Sequence, residues 1–171
     1  MADIFDKAKR RKIMQAIRGK DTRPEWLVRK CLHRHGFRYR LHDRRLPGRP
    51  DLVLRKYNTV ILVQGCFWHG HEPCRIGRLP KSNRTWWEEK INRNRARDQR
   101  NLFLLEKLGW NIWTIYECEL RTATDRAQTL GRLLCYLHGR QKVEYTLASE
   151  TAERYEVVEE ELIFYTSNPK G

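Results

Sequence analysis

The sequence predicts a mixed α/β fold in which a central mixed sheet is flanked by helices. Three observations carry that prediction. Hydrophobic spacing along the chain reads in the order α-β-β-β-α-β-α, which places helices against a sheet. Residues 46–74, LPGRPDLVLRKYNTVILVQGCFWHGHEPC, hold two short apolar runs separated by a turn, the pattern of a hairpin buried on at least one side. A further aromatic and β-branched run, WNIWTIYEC at residues 110–118, follows a long helical stretch.

Taken in order, residues 1–20 are strongly basic, with a short helix expected around Met14 and Ile17. Their apolar content is too thin for a core, so they read as an arm that orders on nucleic acid. Thr22, Pro24 and Glu25 have capping-box spacing, with Leu27, Val28, Cys31 and Leu32 at helical intervals and Gly36 as the stop; this predicts a helix over 23–35. Phe37, Tyr39 and Leu41 alternate with Arg38, Arg40 and His42, as in a strand with one buried and one basic face. The hairpin strands follow at 52–54 and 59–63, with Gly65 ending the second. Residues 75–84 form a polar loop containing Pro80. A long helix then starts at Asn83 or Thr85 and runs to Leu108, with Ile91, Leu102, Leu105 and Leu108 as its apolar stripe and Arg93, Arg95, Arg97 and Arg100 on its other faces. The strand over 110–118 comes next, then a last helix carrying Ala127, Leu130, Leu133, Leu134 and Leu137 and ending near Gly139. Residues 141–171 reverse the charge, with seven Glu against three Lys or Arg; an added strand or helix fits Val157, Val158 and residues 162–165. The division is a DNA-contacting arm (1–20), a catalytic-size domain (21–140) and an acidic extension without an assigned role (141–171).

A chain of 171 residues with net charge +14 has room for one real core and is built to meet a polyanion, nucleic acid first among them. No apolar run approaches the roughly 20 residues of a membrane span, and the N-terminus lacks the apolar segment of a secretion signal. A cytoplasmic, nucleoid-associated protein is expected, in which the five cysteines serve metal binding rather than disulfides.

Three constellations carry chemistry. Cys66, His71 and Cys74 fall within nine positions, and Cys118 can complete a tetrahedron; three thiolates and one imidazole suit structural zinc. Buried apolar cysteines are the alternative for Cys66 and Cys118, and His69 is a competing ligand. Asp51, at the start of a buried strand, is placed to hold Mg²⁺ beside a phosphate, or else serves as a turn aspartate. Glu25 is either a second acid of that site or only the acid of its capping box. Phe67, Trp68, Trp86 and Trp87 are large aromatics in basic surroundings, suited to wedging between bases or to packing; Trp86 and Trp87 point about 100° apart on a helix and cannot share one task.

Together, LPGRPD, the GCFWHGH run, Arg97-Asp98, LGW at 108–110 and YEC at 116–118 resemble the very-short-patch-repair (Vsr) DNA mismatch endonucleases over about the first 120 positions. The resemblance implies a core like that of type II restriction endonucleases and Mg²⁺-dependent nicking of duplex DNA 5′ of the thymine in a T·G mismatch, such as 5-methylcytosine deamination leaves. It implies Asp51 and the Val63 carbonyl as Mg²⁺ ligands, His69 as the active-site histidine and Glu25 as its supporting acid. Cys66, His71, Cys74 and Cys118 would ligate Zn²⁺, and Phe67, Trp68 and Trp87 would intercalate, with Met14 entering from the other groove. A monomer is the family-like state, since a mismatch has no two-fold symmetry, and mismatch-repair proteins are candidate partners. There are departures: Val63 replaces a threonine, Gln64 replaces a second active-site histidine, and Glu72-Pro73 lengthen the zinc loop. A nuclease of the same fold with broader mismatch or restriction-type specificity stays open, as does a non-catalytic zinc-stabilised DNA-binding module.

Overall fold

The computed structural model describes Lys9, Lys12 and residues 19–72 and 74–144, the stretch 140–144 by backbone alone. Its elements are α1 (Arg23–Arg34), β1 (Arg40–Leu41), β2 (Leu52–Leu54), β3 (Thr59–Gln64), α2 (Arg84–Lys107), β4 (Asn111–Tyr116) and α3 (Ala123–Glu144). The order is the one the hydrophobic spacing predicts. Lys9 and Lys12 are helical and exposed, whereas Met14, Ile17 and the acidic extension beyond 144 lie outside the described residues.

The four strands form one sheet in the order β1-β2-β3-β4. β1 with β2 and β2 with β3 are antiparallel; β3 with β4 is parallel, in register from Thr59 opposite Asn111 to Gln64 opposite Tyr116. A parallel pair needs a long crossover, and α2 supplies it. Strand alternation sorts the core onto two faces. Leu52, Leu54, Ile61 and Ile115 pack with Val28 and Leu32 of α1 and Leu130, Leu133, Leu134 and Leu137 of α3. On the other face Val53, Val60 and Leu105 of α2 form a smaller cluster with Leu46, Trp110 and Ile112. The consequence for function is direct: Leu62 and Gln64 of β3 turn toward α2, the thinly packed face, where a cleft is left.

Three element boundaries and one position of an apolar stripe differ from those the sequence predicts. The strand expected over 37–42 shrinks to Arg40–Leu41. Phe37 is drawn into the core at 2% exposure, the Tyr39 hydroxyl donates to the Arg29 carbonyl at 3.1 Å, and His42 enters the left-handed region at φ +47°, ending the ladder. The fourth strand stops at Tyr116, whose N–H donates to the Glu119 carboxylate at 2.7 Å; Cys118 sits in the 3₁₀ turn Glu117–Leu120 that follows. Of the proposed stripe on α2, Ile91 and Leu105 are buried, but Leu108 is 59% exposed. α3 passes through Gly139 to Glu144. Gly36 and Gly109 both have positive φ, as helix-ending glycines do; Gly139 does not, so it is merely tolerated within the helix.

Candidate active site and metal centre

The LPGRPD loop folds against α2 through Gly48. This residue has φ +70°, and a Cβ there would lie 2.9 Å from Asn101 Nδ2, so only glycine brings the loop this close. The loop delivers Asp51 to the end of β2. There one carboxylate oxygen, Oδ2, accepts the Val63 N–H at 2.7 Å, which fixes the side chain to β3. Burial raises the Asp51 carboxyl above its ordinary value; the Val63 N–H opposes that shift, and the nearby Glu25 charge adds to it.

Glu25 is buried at 3% exposure and its two oxygens are fully engaged. Oε1 accepts the Thr22 N–H at 3.2 Å and the Thr22 hydroxyl at 2.8 Å. Oε2 accepts the Asp21 N–H at 3.1 Å and an Arg29 N–H at 2.5 Å. The capping role read from the sequence is therefore present, and it does not isolate Glu25 from the site: Oε2 lies 3.6 Å from His42 Nε2, and His42 Nδ1 lies 3.7 Å from Asp51 Oδ1. Arg29 also pairs with Asp21 at 2.6 Å, so α1 presents a closed acid–base cluster to the hairpin. The sequence reading missed His42, Asp21 and Arg29. His42 alternated with apolar residues and so read as one of a strand's solvent-facing side chains.

His69 lies in the loop after β3, where its Nδ1 is 2.7 Å from Asp98 Oδ2 of α2. Asp98 had been noted within the Arg97-Asp98 pair but given no task; only the fold shows that a residue in mid-helix reaches a loop 29 positions earlier. α2 clamps the same loop twice more. Asn94 donates to the Trp68 carbonyl at 2.9 Å, and Arg95 donates to the Gly70 carbonyl while pairing with Glu72 at 2.7 Å. A cleft of about 540 Å³ opens between β3, the 44–51 loop and α2, lined by Arg44, Arg49, Asp51, Gln64, His69, Arg97 and Asp98. Asp51 and His69 thus share one cavity with three arginines, a setting that suits a phosphate approached by a carboxylate and an imidazole. A second depression of about 490 Å³ shares Gln64, His69 and Asp98.

Cys66, His71, Cys74 and Cys118 converge, with one ligand atom from each within 4.8 Å of the others, and could hold a metal ion. Cys118 Sγ is 3.4 Å from His71 Nδ1, and the Cys118 N–H points at Cys66 Sγ at 3.4 Å. The Tyr116 ring stacks on His71 at 3.8 Å and 3°, setting its orientation. Burial pushes the Cys66 thiol up to about 12 and raises that of Cys118, so thiolates at these two positions call for a compensating cation. The turn that admits Cys74 depends on Gly77, where a Cβ would meet the His71 carbonyl oxygen at 2.2 Å.

Beside this centre Phe67, Trp68 and Trp87 pack edge to face, with ring centroids 5.0 to 6.0 Å apart. Trp86 abuts Trp87 at 4.7 Å yet is 52% exposed, so the two tryptophans do divide, one outward and one inward. Met14, the expected fourth member of this group, lies outside the described residues.

Among described residues no helix is long and apolar enough to cross a membrane. The family model for the DNA mismatch endonuclease Vsr matches residues 2–75. Similar proteins include the Type II nicking enzyme V.NmeAIP of Neisseria meningitidis, 48% identical over 78% of this chain and 95% of its own length. The Type II nicking enzyme V.XorIIP of Xanthomonas oryzae is 50% identical over 70% and 88%. The DNA mismatch endonuclease Vsr of Escherichia coli is 42% identical over 75% and 84%.

Proposed function

Because the chain belongs to the Vsr family of DNA nicking endonucleases, we propose that it hydrolyses one phosphodiester bond in one strand of duplex DNA at a mismatched base pair. The observation that carries this reading is the shared cleft: Asp51, His69 and Asp98 stand in one cavity with Arg44, Arg49 and Arg97. Restriction-endonuclease-like architecture follows from the family and agrees with a mixed sheet that carries its acid at a hairpin end.

Asp51 fits a hard divalent cation. Its Oδ2 is anchored by the Val63 N–H, while burial leaves its charge in want of a counter-ion. Asp51 and the Val63 carbonyl would hold Mg²⁺, with Glu25 acting from behind, since its own oxygens are already engaged. Bound there, Mg²⁺ supplies Lewis acidity toward the phosphate and a more acidic water. His69, with Nδ1 held by Asp98, keeps Nε2 free to hold or pass a proton, and the arginines steady the phosphate. Hydrolysis leaves a 5′-phosphate and a 3′-hydroxyl. The Cys/His cluster fits Zn²⁺ by its donor set, three thiols and an imidazole within tetrahedral reach; its work is structural, tying the 65–74 loop to the turn after β4. The Phe67, Trp68 and Trp87 group, with Met14 from the arm, would enter the base stack, which costs less at a mispair.

T·G is the mismatch to test first. Broader or restriction-linked nicking is the second reading. It is favoured by the two Type II nicking enzymes, which are closer in sequence than the mismatch endonuclease of E. coli, and by Gln64, which cannot pass a proton. The deciding experiment labels each strand of T·G, other mismatched and fully paired duplexes, with Mg²⁺ or EDTA. One Mg²⁺-dependent nick 5′ of the mismatched thymine supports the narrow reading. Nicking across the panel supports the broad one, and binding without any nick rejects both.

A further inference from the structure

One side chain that the mechanism above does not use stands between the two acids. His42 Nε2 is 3.6 Å from Glu25 Oε2, and Nδ1 is 3.7 Å from Asp51 Oδ1. Resting on the nicking reading, we propose that His42 is a positioning residue that keeps Asp51 in register with the Arg29–Glu25 pair.

Three observations carry it. The first is polarity. An Arg29 N–H lies 3.0 Å from His42 Nε2. A guanidinium has only donors, so Nε2 accepts and the imidazole proton sits on Nδ1, facing Asp51. The ring is thus oriented by one partner to address the other. The second is anchorage. Glu25 is fastened to the start of α1 through Asp21, Thr22 and Arg29, and Asp51 is fastened to β3 through Val63. The two acids therefore belong to different bodies, the helix and the sheet, and the His42 ring spans them. The third is the backbone. His42 has φ +47°, a left-handed backbone that is uncommon outside glycine. Its own N–H donates to the Asp51 carbonyl at 3.4 Å. The residue thus addresses Asp51 with main chain and side chain alike. His42 is 26% exposed in its side chain, so it is placed by its neighbours rather than buried for packing.

The tests separate bridging from bulk. His42→Ala should lower the single-turnover nicking rate at saturating DNA by about 10- to 100-fold, as loss of the Arg29 hydrogen bond and of the imidazole beside Asp51 would, while DNA affinity in EDTA changes less than about twofold. His42→Gln offers an oxygen to Arg29 and an N–H to Asp51 without a charge, so it should recover most of the rate. In Mg²⁺-free, DNA-free wild-type protein with its zinc retained, ¹⁵N spectra of the imidazoles, with the His42 signal assigned as the one missing from His42→Gln, should show the proton on Nδ1. A folded His42→Gln as slow as His42→Ala, a folded His42→Ala at the wild-type rate, or a proton on Nε2 would each overturn the proposal. Should His42→Ala fail to fold, the glutamine variant and the tautomer still decide. Should wild-type protein fail to nick any duplex, the functional reading falls, while the tautomer still reports on the bridge.

Discussion

Replacing Asp98 by alanine isolates what its hold on the His69 ring contributes. The Asp98 carboxylate meets His69 Nδ1 at 2.7 Å, with the two side chains 17% and 24% exposed. A hydrogen bond to a charged group in such a sheltered place contributes about 1.5–3 kcal/mol. At about 1.4 kcal/mol per factor of ten, its loss should slow the chemical step by roughly 10- to 150-fold. Part of that loss is orientational, since His69 without Asp98 is free to rotate and to carry its proton on the nitrogen meant for the substrate. The assay is single-turnover nicking of an end-labelled T·G duplex with enzyme in excess, paired with DNA affinity measured in EDTA. Affinity should hold or rise, because the change removes a negative charge from the cleft proposed to receive phosphate; a slower rate then cannot be blamed on weaker binding. Asp98→Asn keeps an acceptor and should fall between alanine and wild type. An Asp98→Ala protein that nicks at the wild-type rate would refute the reasoning, and so would one whose whole loss lies in DNA affinity.

Asp51→Asn should abolish nicking yet melt no lower than wild type in EDTA. Asparagine keeps an acceptor for the Val63 N–H and discards a charge that burial disfavours. A carboxyl raised in the folded state takes up protons on folding, so wild type should lose stability relative to this variant as pH climbs from the unfolded value, about 3.9, through the higher folded one; parallel melting curves would contradict this. Cys118→Ser should lose bound zinc by elemental analysis and several kcal/mol of stability, on the order of 10 °C in a chain of this size. Gly48→Ala should cost about 1–2 kcal/mol for its left-handed backbone. A second change, Asn101→Ala, which removes the 2.9 Å contact, should recover only the smaller steric part, as read by denaturant unfolding.

What could be read from the chain, and what could not, divides along the range of the interactions. The helix start at Thr22 and Glu25, the two hairpin strands and the aromatic fourth strand are local patterns, and all are present, the fourth strand ending at Tyr116 short of the apolar run's end. The Cys/His cluster also followed from spacing, since three of its members lie in one loop and the fourth could be placed by its position after a strand. Contacts between distant elements were invisible. His69 meets Asp98 across a crossover helix, and His42 meets Asp51 only because the edge strand ends in a left-handed residue opposite the LPGRPD turn. No periodicity reports a strained φ. Glu25 shows the opposite hazard: its capping role was legible and correct, but its second contact, through His42 to the acid of the cleft, depends on how α1 packs on the hairpin.

The loop after β3 explains why so few residues serve so many ends. Cys66 and His71 turn to the metal cluster, Phe67 and Trp68 to the aromatic group, and His69 to the cleft. α2 grips the intervening backbone at Trp68 and Gly70. The side chain proposed to wedge between bases is thus one residue from the imidazole that lines the cleft, on a segment held at both ends and in the middle. A rigid connection of this kind carries small displacements rather than absorbing them. On the nicking reading, a paired duplex that refuses the wedge would also leave the phosphate badly placed against His69 and Asp51. Discrimination between mismatched and paired DNA then belongs to the rate of the bound complex as well as to its affinity, and a site that binds paired DNA through its arginines can still leave it uncut.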